Sequence, residues 1–88
     1  GVLNMKELFV LAWHSYAEIE DVSEGGVIGI YTTLEEAQQA MKDNVEESAS
    51  YYDDEDTSVS TEDTEATLTT INNYFIRYYI DSKSILLS

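Results

Sequence analysis

Apolar and polar positions along this chain follow three rhythms. Leu8-Phe9-Val10-Leu11-Ala12-Trp13 is an unbroken apolar run between Glu7 and His14. A run of that length predicts a central strand covered on both faces. One face would carry Leu8, Val10 and Ala12, the other Phe9, Leu11 and Trp13. Ser15 to Gly26 reads as a polar, acidic connection, and Val27 to Tyr31 as a short second strand. Gly25-Gly26 suits a tight turn or bulge. The first two strands are therefore expected to form an antiparallel hairpin with a long loop. Gly29 leaves room within its strand for a close visitor, expected to be a helix side chain.

The period changes after Thr33. Leu34, Ala37, Met41 and Val45 recur at helical spacing, so a helix is expected from Leu34 to somewhere between Ser48 and Tyr52. Thr33 and Glu36 form the S/T-x-x-E capping box. Glu35 and Glu36 also favour the positive end of the helix dipole. The stripe of Leu, Ala, Met and Val reads as core rather than as a cofactor pocket.

Strand character returns from Ala66 to Ile80. Asn72-Asn73 suits a two-residue turn. Beyond it, alternation puts Tyr74, Ile76, Tyr78 and Ile80 on one face and Phe75, Arg77 and Tyr79 on the other. Asp81-Ser82-Lys83 reads as a break, and Ser84 to Leu87 as a short edge strand or a docking tail. The expected fold is α+β: a small antiparallel sheet of three to four strands, ordered β-β-α-β-β or β-β-α-β, with one amphipathic helix on one face. A single domain is expected over the 88 residues, and no internal repeat is visible.

Charge alters this picture. Eighteen acids against four bases give a formal net charge of −14. Such a surface repels nucleic acid and anionic membranes, so neither is expected as a direct partner. It suits a basic protein partner; the plainer reading is solubility. Glu46 to Glu65 holds half of the acids and no base, and a flexible acidic loop is expected at about 50–65. Asp53, Asp54, Glu55, Asp56, Glu62 and Asp63 form the candidate acidic partner surface. With no Cys there is no disulfide framework, thiolate nucleophile or Cys-based zinc site. No apolar run reaches membrane-span length and no signal-peptide pattern is present. Cytoplasm is the expected location, with Met5 as a natural start and Gly1 to Asn4 as a short extension.

Candidate chemistry is sparse, and no catalytic residue or cofactor is expected. His14 is the only His, and its neighbour Ser15 would point to the opposite strand face, badly placed as base and nucleophile. Asp54, Asp56, Ser58, Glu62 and Glu65 fall at positions 1, 3, 5, 9 and 12 of a calcium-loop pattern. The Gly required at the sixth position is Val59, so a solvated acidic loop without a metal is the expectation. No acid sits in an apolar setting that would mark an acid–base pair. Gly25-Gly26 alone is too weak a signal for phosphate binding.

The stronger candidate is an interface. Phe75, Arg77 and Tyr79 combine aromatics with Arg as binding hot spots do. Phe9 and Trp13 are expected to share that face, making an apolar patch too large to leave wet. One helix covers one face of a sheet, so the C-terminal tail or a second subunit must cover the other. A homodimer is expected. The expected function is a non-catalytic cytoplasmic protein-interaction module. The alternative is an acidic inhibitor of phage or mobile-element type that mimics nucleic acid and blocks a DNA-binding enzyme.

Gly29-Ile30-Tyr31-Thr32-Thr33-Leu34-Glu35-Glu36-Ala37 resembles the G-[VI]-[FY]-[ST]-[ST]-x-E-E-A segment of small uncharacterised bacterial and phage α+β domains. A strand ending in an aromatic-His-like segment precedes that motif, as Phe9 to His14 does here. An aromatic strand closes the domain, as Tyr74 to Asp81 does here. The resemblance covers about two-thirds of the chain and skips the acidic segment. It implies a small antiparallel sheet with one packed helix, and no activity.

Overall fold

The computed structural model describes residues 4–17, 22–52, 57–70 and 74–87. The fold is α+β, with elements β1 (Asn4–Ala17), β2 (Val22–Tyr31), α1 (Leu34–Tyr51), β3 (Ser58–Thr61), β4 (Glu65–Thr69) and β5 (Tyr74–Leu87). The five strands form one antiparallel sheet in the order β2-β1-β5-β4-β3. This exceeds the expected three to four strands and adds a third strand after the helix.

β1 and β5 pair along their whole length, from Asn4 opposite Leu87 to Ala17 opposite Tyr74. The apolar run of β1 and the Tyr/Ile alternation of β5 thus become the two inner strands of one ladder. Asp81-Ser82-Lys83 does not break β5: these residues lie opposite Val10, Phe9 and Leu8. Their poor strand propensity is outweighed by a β-rich partner. Ser84 to Leu87 is consequently neither a separate edge strand nor a tail over a sheet face.

β2 also starts earlier than expected. Gly25 and Gly26 are paired strand residues opposite His14 and Trp13, not a turn. Their lack of a side chain serves close approach: a Cβ on Gly25 would lie 2.9 Å from the carbonyl oxygen of Trp13, and one on Gly26 3.3 Å from the indole nitrogen. Between Leu11 and Ala12 the register slips past Ile28, a β-bulge. The bulge rephases β2, so that Val27 and Ile30 fall on the same sheet face while Ile28 packs against the core.

α1 begins as expected. Thr33 is extended (φ −131°, ψ 151°) and its hydroxyl accepts from the Glu36 N–H at 3.2 Å. Ala37, Met41 and Val45 are buried, and Leu34 packs partly buried beside them. The helix lies across one face of the sheet and meets every strand. Under it sit Leu11, Ile76, Tyr78 and Ile80 from the inner strands, with Ala66 and Leu68 from β4. The visitor beside Gly29 is Tyr31 of the same strand, whose hydroxyl stands 2.7 Å from where a Cβ would be.

Part of the expected acidic loop is ordered structure. Ser58–Thr61 pairs with Ala66–Thr69 as a hairpin, closed by the Glu62 N–H donating to the Glu65 carbonyl at 2.7 Å. Alternating β-branched residues favour this pairing, with Val59 opposite Leu68. The expected Asn72-Asn73 turn and Asp53 to Asp56 lie outside the described residues.

The molecule is elongated, 57 × 25 × 16 Å, with a radius of gyration of 15.6 Å. A compact chain of this length would have about 12 Å. The excess comes from the β1–β5 ladder, which runs on past its neighbours. β2 pairing ends at Phe9 and β4 pairing at Tyr79, leaving Asn4–Leu8 and Lys83–Leu87 as a two-stranded ribbon. Met5, Ile85 and Leu86 are exposed on it.

Candidate interaction surface

Strand alternation and the observed register decide which side chains face away from α1. On β5 these are Phe75, Arg77, Tyr79, Asp81 and Lys83; opposite them on β1 stand Tyr16, His14, Ala12, Val10 and Leu8. β2 contributes Val27 and Ile30, and β4 contributes Glu65, Thr67 and Thr69. Val27 and Ile30 are 65% and 62% exposed. Phe75, Tyr79, Tyr16, Val10 and Leu8 are half-buried. Nothing among the described residues lies over this face.

Phe75, Arg77 and Tyr79 therefore share one face, as expected. Phe9 and Trp13 do not join them. The register puts Phe9 opposite Ser82 and Trp13 opposite Tyr78, on the helix side, where both pack against the core. Their places in the exposed aromatic set are taken by Tyr16 and His14, which the apolar pattern did not single out.

The face has internal order. The rings of Tyr16 and Phe75 are 5.4 Å apart at 44°. The Arg77 Nε–H donates to Glu65 Oε1 at 2.6 Å, and the guanidinium carbon lies 5.3 Å from the Tyr79 ring centroid. The hydrogen bond to Glu65, then the carboxylate's charge, holds the Arg77 guanidinium even more firmly protonated than usual. With the two side chains 50% and 38% exposed, the pair is worth under about 1 kcal/mol. It keeps the Arg77 guanidinium near the Tyr79 ring, presenting a preordered cationic and aromatic surface.

Charge separates between the two sides of the sheet. Of the four bases in the chain, Lys6, Arg77 and Lys83 lie on the helix-free face, where the described acids are Glu65 and Asp81. The outer surface of α1 carries Glu35, Glu36, Asp43, Glu46 and Glu47, all exposed, against Lys42 alone. Glu62 and Asp63 of the candidate acidic surface extend this side: both are exposed in the β3–β4 turn, and the Asp63 carbonyl accepts from Gln38 of α1 at 2.9 Å. Asp53, Asp54, Glu55 and Asp56 lie outside the described residues. That Lys83 shares a strand face with Arg77 is masked in the sequence by the apparent break at Asp81-Ser82-Lys83; unbroken alternation from Arg77 reaches it.

The remaining candidates assemble no chemistry among the described residues. Ser15 is buried on the helix side while His14 is exposed on the other. Of the calcium-loop residues, Ser58 begins β3, Glu62 lies in the turn, and the Glu65 carboxylate is engaged by Arg77. No group of three or more acidic or His side chains among the described residues could hold a metal ion. Beneath the C-terminal half of α1, the hydroxyls of Ser48 and Tyr78 are hydrogen-bonded and the rings of Tyr52 and Tyr74 lie 5.9 Å apart. Burial, then the neighbouring Tyr74, pushes the Tyr52 phenol up from its ordinary value. This cluster seals the core. No helix among the described residues is long and apolar enough to cross a membrane.

No protein-family model, curated protein or solved structure matches this chain. The resemblance carried by Gly29 to Ala37 stands on those residues alone.

Proposed function

We propose that this chain is a non-catalytic protein-interaction module of the cytoplasm, with the helix-free sheet face as its docking surface. One observation carries the reading. A five-stranded face bearing Phe75, Tyr79, Tyr16, Val27 and Ile30 is left without a covering layer among the described residues. Sheets normally bury an apolar face against a second layer, and patches of this kind mark interaction sites. Ser84 to Leu87, the alternative cover, lie inside β5. Arg77 close to the Tyr79 ring has the composition of a hot spot. The missing Cys fits a reducing compartment.

A second reading is favoured by the acids gathered on the outer side of α1 and in the β3–β4 turn. Such a surface could imitate a nucleic-acid backbone and occupy a DNA-binding enzyme. Comparative capture separates the two. Tagged wild type, Phe75→Asp and a Glu46→Lys/Glu47→Lys variant are presented to purified candidate proteins at low and high salt. The docking reading expects binding to fail with Phe75→Asp and to survive both the helix variant and high salt. Binding lost with the helix variant and dissolved by salt would transfer the function to the acidic side.

A further inference from the structure

We infer that the occupant of the helix-free face is a second copy of this chain, packed sheet face to sheet face with both helices outward. The inference rests on the docking reading and names its partner.

Charge is the first argument. A chain of net charge −14 repels its own copies in most orientations. The helix-free side is the exception: Arg77 in the five-stranded part and Lys6 and Lys83 on the ribbon share that side with Glu65 and Asp81. Two such faces meet without like-charge conflict. A two-fold arrangement lets Lys83 and Arg77 of one copy approach Asp81 and Glu65 of the other, and keeps the α1 acids on the outside. An isologous contact of this kind closes on itself.

Size is the second. With strands of 14, 10, 4, 5 and 14 residues, each residue covering about 3.4 Å along its strand and about 4.8 Å across it, the sheet and its ribbon offer a footprint of roughly 770 Å². The 25 Å width of the molecule agrees with that count of strands. Each partner in a standard interface contributes roughly 800 Å².

Chemistry is the third. Stacking the acidic helix of one copy on the basic residues of another would attract, but would set Phe75, Tyr79 and Ile30 against Glu35, Asp43, Glu46 and Glu47. Face-to-face packing sets apolar on apolar, at the spacing of about 10 Å usual for sheet sandwiches. Joining through the β2 or β3 edge is also less suited. β3 is four residues long, and β2 is interrupted by its bulge, both devices that blunt an edge.

Sedimentation of the chain from about 10 to about 500 µM, at low and high salt, tests this. The expected result is a discrete dimer that salt leaves intact or strengthens, since the residual repulsion between outward acids is screened. Ile30→Asp and Arg77→Glu alter exposed side chains and should each weaken the dimer at least tenfold while circular dichroism stays unchanged. Glu46→Lys on the outer helix should not weaken it. A monomer throughout the range overturns the inference, as does a dimer indifferent to both face variants. So does an open ladder of oligomers that dissolves in salt, which would mean helix-to-face stacking. A monomer that still loses a purified partner on Phe75→Asp would remove the second copy while leaving the docking surface in place.

Discussion

Leu11, Ile76, Tyr78 and Ile80 are buried, while their neighbours along the same two strands, Val10, Phe75, Arg77 and Tyr79, are half-buried or exposed. The difference is a layer of helix. α1 brings Ala37, Met41 and Val45 down on one side of the sheet, and nothing among the described residues descends on the other. Residue type distinguishes the sides less than cover does, because each carries Tyr and aliphatic side chains. The helix side is thus a finished core, and the bare side has the composition of a core without its second half. That contrast is why the first explains folding and the second is the place to look for function.

The sharpest break of the comparison is a pair of truncations. Met41→Ala, at 1% exposure, should lower stability by about 2–5 kcal/mol through lost burial and the cavity left behind. Ile30→Ala, on the bare face, should change it by less than about 0.5 kcal/mol in dilute solution, where no partner covers the site. Urea unfolding followed by Trp13 fluorescence measures both. Equal losses would mean that the bare face is not bare.

A smaller effect is expected at the seam between edge strand β2 and its neighbour β1. Gly25→Ala places a Cβ against the backbone oxygen of Trp13, which no rotamer change can relieve. β2 must shift from β1, at a cost of about 1–3 kcal/mol. Trp13 lies across from Gly26 and is the only Trp, so its emission should report the shift directly. A variant with unchanged emission and stability would show that β2 yields there freely.

These residues also show how far the sequence could be read. The helix start was legible to the residue because its cues are local, Thr33 and Glu36 for the cap and Leu34 to Val45 for the buried stripe, while its end at Tyr51 lies within the expected window of Ser48 to Tyr52. The existence of β1 and β5 was legible from their apolar content. Their extent was not, because Asp81-Ser82-Lys83 and Gly25-Gly26 are read locally as breakers yet lie opposite strong strand residues. The face assignment failed for the same reason. Alternation says that Phe9 and Trp13 share a side, but only the β1–β5 register says which side, and one residue of slip exchanges the answer. The hairpin of β3 was obscured by the surrounding acids, whose charge outweighed the β-branched residues in the reading.

The smallest effect lies in the Arg77–Glu65 pair, and it sharpens the comparison most finely. In a face open to water, a double-mutant cycle of Arg77→Gln and Glu65→Gln should return a coupling of about 0.2–1 kcal/mol, falling as salt rises. The same pair beneath a covering layer would be screened far less, so its coupling would grow and lose its salt dependence. Measuring the cycle by urea unfolding at low and then at high protein concentration places one ion pair in both settings. A coupling that rises with concentration would mark the moment at which the bare face acquires its second half. A coupling that stays small and salt-sensitive at every concentration would leave that face uncovered by its own kind.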